Sequence, residues 1–108
     1  MKIKINNKTI SNNSPTYFIA DIAANHDGSL NKAVDLIHMA AKSGANAAKF
    51  QHFQAETIVS DKGFRMLNKK YFSHQKKWKK SVFEVYKDAS INLEWTQVLK
   101  KECSKVNI

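Results

Sequence analysis

The sequence predicts an α/β fold built on a parallel strand–helix–strand unit. Two short, mostly apolar runs, Tyr17 to Ile22 and Ala45 to Gln51, flank a segment with helical spacing, and glycine and proline punctuate the joins. Runs of that length, apolar on both faces, suit strands of a buried parallel sheet, which needs a helical crossover to return to the same edge.

In chain order, Lys2-Ile3-Lys4-Ile5 and Lys8-Thr9-Ile10 alternate around Asn6-Asn7, which reads as a small leading β-hairpin. After the loop Ser11 to Pro15 comes the first buried strand, 17–22. Leu30, Ala33, Val34, Ile37, Ala40 and Ala41 then recur at helical spacing, with Ser29 as N-cap and Gly44 just past the end. The second strand follows at 45–51. From His52 to about Ser73 no period is sustained apart from a short helical turn near Gly63 to Leu67, so this stretch reads as a long loop. A helix is expected from about Lys77 to Lys87, and a last one from Leu93 to Lys105 with Asn92 as N-cap. Val106-Asn107-Ile108 reads as the exit toward a further strand. Two strands and three helices cannot close a barrel, so the expectation is a single-domain piece of a larger fold, residues 1–108.

The 108 residues, 43% of them hydrophobic, allow one modest core. A single cysteine, Cys103, forms no intrachain disulfide, and no Cys/His spacing resembles a zinc cluster, which fits a reducing, cytoplasmic setting. The first residues are polar and no apolar run reaches bilayer length, so a soluble chain without membrane association is expected.

The net charge of +9 is unevenly spread. Residues 1–60 carry six Lys against four acids, 61–80 carry eight Lys or Arg against one, and 81–108 carry four against four. The excess sits in Lys62, Arg65, Lys69, Lys70, Lys76, Lys77, Lys79 and Lys80. It reads either as a solvated lysine face or as an anion-attracting rim. No regular aromatic interleaving or nucleic-acid motif accompanies it, so no specific nucleic-acid partner is expected.

Strand parity sets Ile19 and Asp21 on one face and Phe18, Ala20 and Ile22 on the other; it likewise groups Ala45, Ala47, Lys49 and Gln51. Asp21, Lys49 and Gln51 therefore converge at the C-terminal strand ends, where α/β folds gather ligand groups. Position alone leaves two readings of the acid and lysine, a structural ion pair or a site. The loop Asn25-His26-Asp27-Gly28-Ser29 opens the first helix. Turn and cap roles account for Asn25, Asp27, Gly28 and Ser29, while backbone N–H groups there could receive an anion. His26 is the surplus residue, either contacting a ligand or bonding its own loop. Trp78, Trp95 and Cys103 read as packing residues, and His38, His52 and His74 lack partners at metal spacing.

At these residues the chain resembles the sialic acid synthase (N-acetylneuraminate synthase) family. Phe18-Ile19-Ala20-Asp21-Ile22-Ala23-Ala24-Asn25-His26-Asp27-Gly28 is similar to the family's first-strand motif and Ala45-Asn46-Ala47-Ala48-Lys49-Phe50-Gln51 to its second. Gln54 to Ser60 and Ser81 to Tyr86 also resemble it, so that the likeness covers about residues 3–108. The resemblance implies the N-terminal portion of a (β/α)8 TIM barrel, an incomplete barrel, in a family whose barrel is usually followed by a smaller antifreeze-like domain. It also implies a transferase that condenses phosphoenolpyruvate with an N-acylated hexosamine, N-acetylmannosamine or a relative, to a nonulosonic acid with release of phosphate.

By resemblance, Asp21 is catalytic and Lys49, Gln51, Asn25 and His26 bind substrate. Lys49 would meet the phosphoenolpyruvate carboxylate or phosphate and Gln51 the acceptor sugar. Many members carry Glu where this chain has the shorter Asp21. A divalent metal, Mn2+ or Mg2+, is implied, with histidine ligands from later barrel strands, so no residue of this chain is assigned to metal. The isolated chain is expected to be inactive, and a homo-oligomer is one assembly open to it. The competing classes are a basic anion- or nucleic-acid-binding module and a non-catalytic interaction fragment.

Overall fold

The computed structural model describes residues 1–67 and 78–108. Lys69, Lys70, Lys76 and Lys77 of the basic segment, and His74, lie outside the described residues.

Strands β1 (Ile3–Ile5) and β2 (Lys8–Ile10) form the antiparallel leading hairpin, with Ile3 opposite Ile10 and Ile5 opposite Lys8. Asn6 takes the left-handed conformation at the turn (φ 51°), which asparagine tolerates better than most residues.

Strand β3 (Ile19–Ala23) pairs in parallel with β4 (Ala47–Phe50), and helix α1 (Leu30–Lys42) crosses over between them. Local chemistry fixes each end of α1. The Ser29 hydroxyl accepts from the Lys32 N–H at 3.2 Å, and Gly44, at φ 83°, takes the left-handed conformation that ends the helix. Asn46 then sets the register: its side-chain carbonyl accepts from the Phe18 N–H at 2.8 Å while its own N–H donates to the Phe18 carbonyl at 2.8 Å. Both strands begin at that exchange.

The segment after β4 is not a featureless loop. It holds two short helices, α2 (Ala55–Ile58) and α3 (Asp61–Met66), the second capped by the Ser60 hydroxyl and braced by an Asp61–Arg65 pair at 2.9 Å. The four residues of α2 are too short to display a helical period, whereas α3 lies over the short helical turn expected near Gly63 to Leu67. Helix α4 (Val82–Ala89) starts later than expected. Ser81 and Glu84 form a capping box, the Ser81 hydroxyl accepting from the Glu84 N–H at 3.2 Å and the Glu84 carboxylate accepting from the Ser81 N–H at 2.8 Å. That reciprocal bonding terminates the helix at Ser81 and leaves Trp78 to Lys80 outside it. Helix α5 (Trp95–Lys105) likewise begins beyond Asn92, whose side-chain oxygen accepts from the Glu94 N–H at 3.0 Å in a lead-in turn. Asn107, at φ 59°, closes α5, and the Ile108 N–H returns to the Cys103 carbonyl at 3.1 Å.

The core lies between the inner face of β3–β4 and the two helices α1 and α5. Ile22, Ala33, Ile37, Ile91 and Leu99 are buried there, with Ala48, Phe50, Trp95 and Val106 packed around them. His38 on α1 reaches Glu102 on α5 at 3.5 Å across the outer rim of this contact. Beyond β4 the chain is stitched to the α4–α5 link: the Gln54 amide donates to the Ile91 carbonyl at 2.6 Å and the Ala55 N–H to the Ser90 hydroxyl at 3.0 Å. None of the helices among the described residues is long and apolar enough to cross a membrane.

Ile37 is fully buried and Met39, two residues on, is 62% exposed. Ile37→Ala should therefore cost about 2–5 kcal/mol of stability through lost burial and a residual cavity, whereas Met39→Ala should stay within about 0.5 kcal/mol. Urea unfolding of the two variants measures this, and equal losses would show that α1 does not pack by the face described.

Candidate functional site

Register brings the acid and the lysine together. Asp21 on β3 lies directly opposite Lys49 on β4, and the Lys49 ammonium donates to the Asp21 carboxylate at 2.9 Å. Both side chains are about half exposed (57% and 53%), on the face turned away from the helices. Ile19, on the same face of β3, is also exposed at 57%, while Ala20 and Ile22 turn inward. An ion pair so open to water contributes at most about 1 kcal/mol to folding. Stability thus gives little reason for two charges on a strand face that would otherwise be apolar.

Beyond Asp21 the strand is irregular. Ile22 is an extra residue, so that Ala23 rather than Ile22 stands opposite Phe50. Ala23 itself adopts a left-handed φ of 53°, and its carbonyl accepts from the Gln51 N–H at 3.0 Å. The bulge turns the chain out of the strand and at the same time fixes where Gln51 leaves β4. Gln51 is exposed at that exit. Asn25 stays close to the strand end, its side-chain amide donating to the Ile22 carbonyl at 3.0 Å. On the helix side of β3 it lines, with Ala20, Asp21 and Ile22, a groove of about 260 Å³ whose other wall is Leu36, Met39 and Ala40 of α1 and which does not include Lys49.

His26 is placed differently. Its ring is 0% exposed and turns inward, with Nδ1 accepting from the Gly28 N–H at 3.1 Å and the ring near-perpendicular to Trp95 at 5.7 Å between centroids. Burial pushes its pKa below the ordinary histidine value, with neighbouring Asp27 opposing that shift and His52 and Lys32 adding to it. Asp27 pairs with Lys32, which holds the Asp27 carboxyl below its usual range. The sequence reading missed two tertiary links here. His52, just past β4, meets the Thr96 hydroxyl at 3.1 Å, so the loops leaving both strands converge on the first turn of α5. Nothing local to His26 or His52 signals a partner so far along the chain.

The sequence and the fold of this crossover unit match those of known proteins. Residues 36–108 match the NeuB family. The chain belongs to that family.

Among its NeuB-type relatives, the spore coat polysaccharide biosynthesis protein SpsE of Bacillus subtilis is 47% identical over 55 residues, covering 51% of this chain and 15% of that protein. An N,N'-diacetyllegionaminic acid synthase of Legionella pneumophila is 45% identical over 58 residues, covering 53% of this chain and 16% of the relative. The crystal structure of an N-acetylneuraminic acid synthetase from Leptospira borgpetersenii superposes on the whole chain with a TM-score of 0.74 at 28% identity, which is 32% of that chain. The chain thus spans under a third of the length of these relatives.

The matched range contains Lys49 and Gln51, whereas Asp21 and the Asn25–Ser29 turn precede it and enter through the structural superposition. Among the described residues no three of His, Cys, Asp and Glu gather where they could hold a metal ion. The donors among the described residues thus do not fit the divalent metal that the resemblance implies.

Ala23 is where the site holds backbone strain, of the order of 1–2 kcal/mol for a residue with a Cβ in the left-handed region. Ala23→Gly should leave stability within about 1 kcal/mol of the parent, relief of strain offsetting the added freedom of the unfolded chain. Ala23→Val, β-branched at positive φ, should lose about 1–3 kcal/mol. Thermal unfolding of both tests the bulge, and a valine as well tolerated as glycine would refute it.

Proposed function

We propose that this chain supplies the first strand ends of a barrel-type synthase that condenses phosphoenolpyruvate with an N-acylated hexosamine to a nonulosonic acid. One observation carries the reading: in a NeuB-family chain, Asp21 and Lys49 are paired in register on the strand face opposite the core. Its relatives, N,N'-diacetyllegionaminic acid and pseudaminic acid synthases among them, supply the reaction class.

The chemistry needs such a pair. Phosphoenolpyruvate carries its negative charge on a carboxylate and a phosphate, and an ammonium on a flexible stem meets either as a point charge. When the enol's terminal carbon attacks the acceptor aldehyde, positive charge develops on the carbon bearing the phosphoester oxygen. The Asp21 carboxylate, held beside Lys49, is suited to stabilise that charge until water adds and the carbon–oxygen bond to phosphate breaks. Gln51, leaving β4 at the bulge, offers an amide to the acceptor sugar, and Asn25 borders the groove beside Asp21. Most of the rate in such a condensation comes from holding two reactants in place. Manganese or magnesium, the cations the resemblance implies, would be held by residues outside this chain, as would the remaining strands of the barrel.

Calorimetric titration of the chain with phosphoenolpyruvate tests the assignment. Lys49→Ala should weaken binding about tenfold or more, the loss expected for a hydrogen bond to a charged group. Unchanged affinity in that variant would remove Lys49 from the site. The chain alone, given manganese, phosphoenolpyruvate and N-acetylmannosamine, should release no phosphate, and metal-dependent turnover would overturn the view that it is only a part of the catalytic unit.

A further inference from the structure

His26 combines features that a turn residue does not need. Its Nδ1 accepts from the Gly28 N–H at 3.1 Å, so in the neutral ring the proton sits on Nε2, an assignment that follows from the hydrogen-bond network. Nε2 is buried and has no hydrogen-bond partner. The ring packs near-perpendicular to Trp95 in the first turn of α5, at an interplanar angle of 81°. Gly28 takes a left-handed φ of 73°, and the Asp88 carbonyl of α4 lies within ordinary contact distance of the turn, 3.6 Å from where a Gly28 Cβ would stand. One imidazole therefore ties the strand-to-helix turn, next to Asn25 and the strand end, to the far side of the fold.

We propose that His26 is a positioning residue that locks the Asn25–Ser29 turn onto the first turn of α5 only as the neutral imidazole, so that protonation releases the turn beside Asp21. A cationic ring carries a proton on Nδ1, which would then confront the Gly28 N–H with a second donor instead of an acceptor. It would also place charge where no water reaches. The charged and titratable groups acting on the ring are Asp27 in its own turn, which favours the cation, and Lys32 on α1 and His52 past β4, which oppose it. Asp27 is already paired with Lys32. Helix α5 faces the ring with the uncharged Trp95, and α4 meets the turn through a backbone carbonyl while its Asp88 carboxylate pairs with Lys80 at 2.5 Å.

The sign follows from linkage. Because the folded-state pKa of His26 lies below its ordinary 6.5, the unfolded chain binds the proton more readily. The stability tied to His26 is present in full above 6.5 and is lost as pH falls from there toward the folded value.

The tie holds whatever ligand meets Asp21 and Lys49, so its test reads the imidazole itself and not phosphoenolpyruvate binding. Two-bond proton–nitrogen spectra of the 108-residue chain, with His26 assigned by His26→Gln, report tautomer and titration together. The expected result is a neutral ring protonated on Nε2, a midpoint below 6.5, and Gly28 amide and Trp95 indole signals that shift with the same midpoint. In His26→Asn the side-chain carbonyl can still accept from Gly28 without titrating. The Gly28 amide should then stay in its native position and lose that pH transition. A ring protonated on Nδ1, a midpoint at or above 6.5, or Gly28 and Trp95 signals indifferent to the titration would each overturn the proposal.

Discussion

The pairing of β3 with β4 is the constraint from which the other features follow. A parallel pair cannot be closed by a tight turn, so the chain must leave β3, cross over as α1 and return, and the crossover buries Ala33, Ile37 and Ala40 against the strands. Asn46 sets the alignment at the N-terminal ends by exchanging hydrogen bonds with Phe18. Once that alignment is set, Asp21 must face Lys49, because a one-residue slip would turn one of them into the apolar core. The ion pair is a result of the register and too exposed to be its cause.

The same two strands divide the molecule into a packed side and an open, charged side. Ile22, Ala48 and Phe50 join α1 and α5 in the core, while Asp21 and Lys49 stand on the opposite face with Ile19. At the C-terminal ends the order changes. The bulge at Ile22, the left-handed Ala23 and the buried His26 replace regular pairing, and the exits of both strands are held from α5 through Trp95 and Thr96. Backbone strain at Ala23 and the buried, unpartnered Nε2 of His26 thus gather at one strand end.

Much of this was legible in the sequence where the signal is local. Ser29, the period from Leu30 to Ala41, and Gly44 defined α1 to within a residue, and strand parity put Asp21 and Lys49 on matching faces. The start of α4 was also written locally, in Ser81 and Glu84, but the apolar spacing from Trp78 pointed about one turn too early. Helix α2 is shorter than any window that reveals a period, and α3 showed in the sequence only as the short turn near Gly63 to Leu67. The bulge had no signal at all, since alanine does not mark positive φ as glycine or asparagine would. Burial of His26 depended on Trp95, a contact made only by the folded chain, so the sequence left its two roles open.

The account stands on Lys49 and Asp21 being a ligand-binding pair and not merely two charges in register. A crystal structure of the chain with bound phosphoenolpyruvate tests that most directly. The account predicts a carboxylate or phosphate oxygen within hydrogen-bonding distance of the Lys49 ammonium, with the Asp21 carboxylate beside the enol carbon. Phosphoenolpyruvate held elsewhere, for example by the lysines of the basic segment, with the Asp21–Lys49 contact undisturbed at 2.9 Å, would contradict it.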